Sequence, residues 1–103
     1  AAGCADIVGY TRIARRLTEA EPGQLIERFE GMTADVVALN GGRVIKSIGD
    51  EVLFVTDTAA QGAAVALALQ DAVTAAGDLP ELRIGLAYGT ILIRLGGRDI
   101  AAR

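Results

Sequence analysis

Two β-rich runs, Arg43 to Ile48 and Glu51 to Thr56, are separated by only Gly49 and Asp50. A spacer of two such residues joins antiparallel neighbours in a tight hairpin, because glycine and aspartate accept the positive φ angles the turn requires. A hairpin in mid-chain commits the protein to a sheet, and its flanks decide what covers that sheet. Upstream, Leu25, Ile26, Phe29, Met32, Val36, Val37 and Leu39 recur mostly three and four apart, which predicts an amphipathic helix. Thr18-Glu-Ala-Glu21 reads as its capping box, Pro22 falls in a first turn that tolerates a missing N–H, and Asn40-Gly41-Gly42 stops it. Downstream, Asp57-Thr58 caps a second long, Ala-rich helix expected to run through Ala76 and close at Gly77-Asp78.

The ends of the chain supply the remaining strands. Ala5 to Val8 is a short apolar run ended by Gly9, and Thr11 to Leu17 has a one-to-two-turn helical pattern. Leu82, Ile84, Leu86 and Tyr88 alternate with Arg83, Gly85, Ala87 and Gly89, and Thr90 to Leu95 forms another apolar run. The order β-α-β-β-α-β plus a further strand predicts an α+β fold, a ferredoxin-like βαββαβ sandwich with helices on one face of an antiparallel sheet. In that topology the first strand is central and pairs with the third. The junction Gly96-Gly-Arg-Asp-Ile100 is expected to be a shortened loop and not a hairpin, with no closing strand after it.

The 103 residues fit a single domain, and 51% hydrophobic content gives that domain an adequate core built from Ala, Val, Leu and Ile. There is no His, which removes every His-based triad and zinc site. The single Cys4 excludes an internal disulfide and Cys-rich metal sites, and it favours a reducing compartment. A net charge of −3 with no basic stripe argues against nucleic acid as a partner. No apolar run is long enough to span a bilayer and no signal peptide opens the chain, so a soluble, cytoplasmic domain is expected. A membrane anchor elsewhere in a full-length protein is compatible with that reading.

Two carboxylates stand out. Asp6 interrupts an apolar strand and Asp50 sits at a hairpin tip that the topology brings towards the end of the first strand. Like charges held close together are costly unless a cation lies between them, and Mg²⁺ takes one or two carboxylates together with phosphate oxygens. Each residue alone has an ordinary explanation: Asp50 as turn chemistry, Asp6 as a cap or loop acceptor. Together, with Gly9, Tyr10 and Thr11 opening a helix whose N–H groups suit a phosphate chain, they point to a metal–phosphate site. Lys46 within a strand reads as a solvated or edge-guarding charge. Arg43, Arg83 and Arg94 read as solvated strand charges.

Four stretches carry a resemblance: Ala5-Asp-Ile-Val-Gly-Tyr-Thr11, Gly41-Gly-Arg-Val-Ile-Lys-Ser-Ile-Gly-Asp50, Arg83-Ile-Gly-Leu-Ala-Tyr-Gly89 and Ile100-Ala-Ala-Arg103. Together, and in this order, they resemble the class III nucleotidyl cyclase catalytic domain, in particular the adenylyl cyclases of actinobacteria. The resemblance implies a head-to-tail homodimer that makes cyclic AMP from ATP at two composite sites. It implies that Asp6, Asp50 and the Ile7 carbonyl hold two ions, Mg²⁺ or Mn²⁺, and that Gly9, Tyr10 and Thr11 cradle the triphosphate. Lys46 would read adenine from the opposite subunit, and Arg103 would neutralise charge in the transition state. Family members place several more residues before the terminal Ala-Ala-Arg, including an aspartate that helps to select adenine and an asparagine. Here Asp99 has the asparagine's spacing from Arg103 and the aspartate has no counterpart, so base selectivity falls to Lys46. A degenerate homologue that binds ATP without turnover is the alternative.

Overall fold

The strand expected around Ala5 runs from Ala2 to Ile7 (β1), and its residues alternate strictly between half-buried and buried. That alternation sets the layers of the molecule. Gly3, Ala5 and Ile7 face inwards, while Ala2, Cys4 and Asp6 share the other face. The computed structural model describes residues 1–17, 21–89, 91–95 and 98–102. After β1 come α1 (Tyr10–Ala14), α2 (Glu21–Leu39), β2 (Arg43–Ile48), β3 (Glu51–Val55), α3 (Ala59–Ala76), β4 (Leu82–Ala87), β5 (Ile91–Leu95) and β6 (Arg98–Ala102).

Four strands form one antiparallel sheet in the order β2-β3-β1-β4, the ferredoxin-like arrangement, with β1 bonded to β3 as expected. Its inner face, through Ala5, Ile7, Val52, Phe54 and Leu82, meets Phe29 and Val37 of α2 and Val65 and Leu69 of α3 in one core. The spacing of those helical residues, a multiple of four in each helix, is the apolar stripe that the sequence pattern predicts. Helix α3 begins at Thr58, whose hydroxyl accepts from the Gln61 N–H at 3.1 Å while the Gln61 side chain accepts from the Thr58 N–H at 3.1 Å. It ends at Gly77, in the left-handed region at φ 75°. The capping box expected at Thr18 lies outside the described residues. Among the described residues, no helix is long and apolar enough to cross a membrane.

Two expectations need correction. Helix α1 stops at Ala14, and the chain continues to Leu17 in tighter turns, the Arg16 N–H donating to the Ile13 carbonyl at 3.0 Å and the Leu17 N–H to the Ala14 carbonyl at 3.3 Å. The segment after Gly96-Gly97, expected to lack a closing strand, forms β6, which pairs antiparallel with β5 and sets Leu95 opposite Arg98.

Gly3 lies opposite Phe54 across the β1–β3 pair, and a Cβ at that position would run into the Phe54 ring. Phe54 is buried and has little room to retreat. Gly3→Ala should therefore lower unfolding free energy by about 1–3 kcal/mol through overpacking. The measurement is a urea titration, with a lower midpoint at unchanged slope expected; an unshifted midpoint contradicts the packing described here.

Candidate active site

Asp6 stands one residue from the end of β1, on the sheet face opposite the helices. Antiparallel register sets it between Glu51 of β3 and Arg83 of β4. Arg83 grips it with two hydrogen bonds: Nε donates to Oδ1 at 3.3 Å and Nη2 donates to Oδ2 at 3.1 Å. The two ends of this pair are unequal, since the Asp6 side chain is 20% exposed and that of Arg83 is 75% exposed. The hydrogen bond to Asp6, followed by its charge, raises the Arg83 pKa further above its already high value, and the charge of Asp50 adds to the effect.

Asp50 reaches the same place through the hairpin. Gly49 adopts φ 55°, a left-handed conformation that turns the chain sharply. The Ile7 N–H then donates to the Asp50 carbonyl at 3.2 Å, which ties the hairpin tip to the end of β1. The side chains of Asp6, Glu51 and Arg83 and the backbone of Asp50 thus share one end of the sheet. Ile7 itself contributes its side chain to the core, leaving only its backbone for the site.

Beyond Ile7, the Val8 N–H donates to the Glu81 carbonyl at 2.9 Å and the chain turns through Gly9 at φ 68°. Helix α1 starts there, with no side-chain cap, and Gly9 supplies the first helical acceptor to the Ile13 N–H at 3.0 Å. Gly9, Tyr10 and Thr11 are therefore delivered directly beyond the Asp6 strand end, as the sequence pattern expects. Lys46 is exposed on β2, opposite Leu53, which in turn lies opposite Cys4. It shares the Asp6 face but sits two strands from β1, about 10 Å across the sheet. Arg103 lies outside the described residues.

A shallow depression of about 370 Å³ opens beside the ion pair, lined by Cys4, Asp6, Arg83, Ile84 and Gly85. Arg83 was not among the expected site residues. The signal for it was the alternation of β4: with Leu82 and Ile84 on the core side, Arg83 and Gly85 must face the same way as Asp6. Among the described residues no group of three or more His, Cys, Asp or Glu forms a ready-made metal site. The hard oxygens of Asp6 and Asp50 nevertheless suit a divalent ion whose other ligands are phosphate oxygens and water.

Cys4 sits on the same face, two pairs further along the sheet. Its thiol is pushed up to about 11 from 9.0, chiefly by burial, then by the hydrogen bond it donates to Glu51 and by the charges of Glu51 and Asp6, with Arg83 opposing.

No family model matches the chain. It is 48% identical over 96 residues to an adenylate cyclase of Streptomyces coelicolor, covering 93% of this chain and 25% of that protein. It is 47% identical over 92 residues to an adenylate cyclase of Streptomyces griseus, covering 89% and 23%. The chain thus spans about a quarter of the length of the curated relatives it matches. In fold it is similar to a bacterial light-regulated adenylyl cyclase, with a TM-score of 0.79, 22% identity, and coverage of 99% of this chain and 62% of that one. Sheet order, helix placement and these relatives define a nucleotidyl cyclase catalytic domain. The chain belongs to the class III family of such domains.

A raised thiol pKa makes the folded state hold its proton more tightly than the unfolded chain does. The associated stability is fully present below about pH 9.0 and is lost as pH rises through about 11. The stability difference between wild type and Cys4→Ala should change across that window in the direction of wild-type loss. Urea midpoints measured against pH test this, and a pH-independent difference contradicts it.

Proposed function

We propose that the chain is catalytic-domain sequence of an adenylyl cyclase, converting ATP to 3′,5′-cyclic AMP and pyrophosphate at composite sites of a homodimer. The observation that supports this reading is the Ile7 N–H bond to the Asp50 carbonyl, which brings the Gly49-Asp50 turn to the Asp6 end of β1. In the reaction the ribose 3′-oxygen bonds to the α-phosphorus, its proton passes to solvent water, and the bond from the α-phosphorus to the bridging oxygen breaks as pyrophosphate leaves. Asp6, Asp50 and the Ile7 carbonyl would hold two ions, Mg²⁺ or Mn²⁺. When bound, such ions lower the pKa of the attacking hydroxyl and screen the phosphate oxygens.

This chain's own groups do the positioning. The backbone N–H groups of Gly9, Tyr10 and Thr11 receive the triphosphate at the start of α1. Lys46 presents its ammonium to adenine bound at the partner's Asp6 end, which accords with its place two strands away from Asp6 in its own subunit. Arg103 neutralises charge that develops on the phosphoryl oxygens. A cytoplasmic location, where ATP is available and Cys4 stays reduced, completes the reading, and regulatory sequence belongs to the rest of the full-length protein. A second reading, an ATP-binding homologue without turnover, is favoured by one feature: Asp99 stands where the family has an asparagine, and the base-selecting aspartate has no counterpart.

Asp6→Ala and Asp50→Ala should each lower cyclic AMP formation by at least about 100-fold, the loss of several kcal/mol of charge stabilisation, with circular dichroism unchanged. Near-normal turnover in either variant overturns the two-metal reading. Lys46→Glu should reduce the ratio of ATP to GTP use. An unchanged ratio removes Lys46 as the base reader, and no cyclic AMP from wild type with Mn²⁺ favours the second reading.

A further inference from the structure

The Arg83 guanidinium sets a positive charge against both oxygens of Asp6, where an entering metal ion would meet it. We infer that Arg83 is a built-in competitor for the metal site: it acts as the counterion of Asp6 when no metal is bound and is displaced when a divalent cation enters. This rests on the two-metal reading above and adds to it a residue that sets how much cation the site requires.

Register makes the pairing obligatory. Asp6 and Arg83 are direct cross-strand partners on β1 and β4, and Leu82 and Ile84 turn towards the core on either side of Arg83. Arg83 therefore has to project onto the Asp6 face. The guanidinium fork meets both carboxylate oxygens, a geometry that satisfies Asp6 more fully than a single contact would. With Asp50 nearby, the guanidinium also screens one carboxylate from the other in the metal-free protein.

The same pair is built to come apart. Arg83 is the exposed end, at 75% against 20% for Asp6, so the carboxylate stays in place while the arginine moves. Space is available for that movement: Gly85 follows on the same face, and even an added Cβ there would meet nothing within 4 Å. The depression bounded by Cys4, Asp6, Ile84 and Gly85 borders the guanidinium directly. A pair this exposed is weak enough for a divalent cation, which interacts with Asp6 and Asp50 together, to displace.

The experiment measures Mn²⁺ uptake without nucleotide, by the electron paramagnetic resonance signal of free Mn²⁺, in the full-length protein and three variants. Arg83→Ala should bind Mn²⁺ about fivefold more tightly than wild type, the upper end for an exposed pair. Arg83→Lys, which keeps the charge and loses the fork, should fall between the two. Arg43→Ala, which makes the same change in net charge elsewhere on the sheet, should match wild type. If Arg83→Ala binds Mn²⁺ equally or more weakly while wild type binds it, the competitor role is overturned and the two-metal reading survives. If neither wild type nor any variant takes up Mn²⁺ across the millimolar range, the two-metal reading fails and the inference falls with it. Should Arg83→Ala fail to fold, Arg83→Lys decides the matter: affinity at or below the wild-type level overturns it.

Discussion

Strand β1 is hydrogen-bonded along both edges, to β3 and to β4, and the rest of the molecule is arranged around that fact. A strand fixed on both sides cannot slip by one residue without turning every side chain to the opposite face. Ala5 and Ile7 are held in the core by Phe29, Val52, Phe54 and Leu82, so Asp6 is held out of it with equal firmness. The placement of one carboxylate is thus a by-product of hydrophobic packing several residues away. The hairpin tip is fixed by the same strand, because the Ile7 N–H that leaves the core-facing residue is the donor to the Asp50 carbonyl.

The open face carries an unusual charge arrangement for a sheet surface. Glu51, Asp6 and Arg83 lie side by side across three strands, with Cys4 two pairs away and its thiol kept protonated by burial and by the two neighbouring carboxylates. One arginine therefore serves as the local balance for Asp6 and, at longer range, Asp50. An ion pair that is half-buried at the carboxylate and open at the guanidinium suits this role: it orients the acid without binding it irreversibly.

Much of this was legible in the chain. The limits of β2, the Gly49-Asp50 turn, the Thr58 cap and the Gly77 stop follow from local chemistry, and each appears where that chemistry puts it. The juxtaposition of Asp6 and Asp50 follows from topology, once the order of elements fixes β1 beside β3. Arg83 was another matter. Its neighbours 76 to 78 positions away in sequence decide its role, and a charged residue in an alternating strand looks the same whether it meets water or a carboxylate. The register of β4 against β1 is what separates those cases, and no local signal encodes it. The β5–β6 pair was missed for a different reason: the short spacing to Arg103 read as a shortened loop with no closing strand after it.

The central claim is that Asp6 and Asp50 jointly hold divalent cations beneath a nucleotide. The most direct measurement is a crystal structure of the full-length protein with Mn²⁺ and a non-cyclisable ATP analogue, with manganese located by its anomalous scattering. The account predicts manganese bound to carboxylate oxygens of both residues, with the Arg83 guanidinium withdrawn from Asp6. An ordered nucleotide whose manganese touches phosphate oxygens alone, beside an intact Asp6–Arg83 pair, would contradict it.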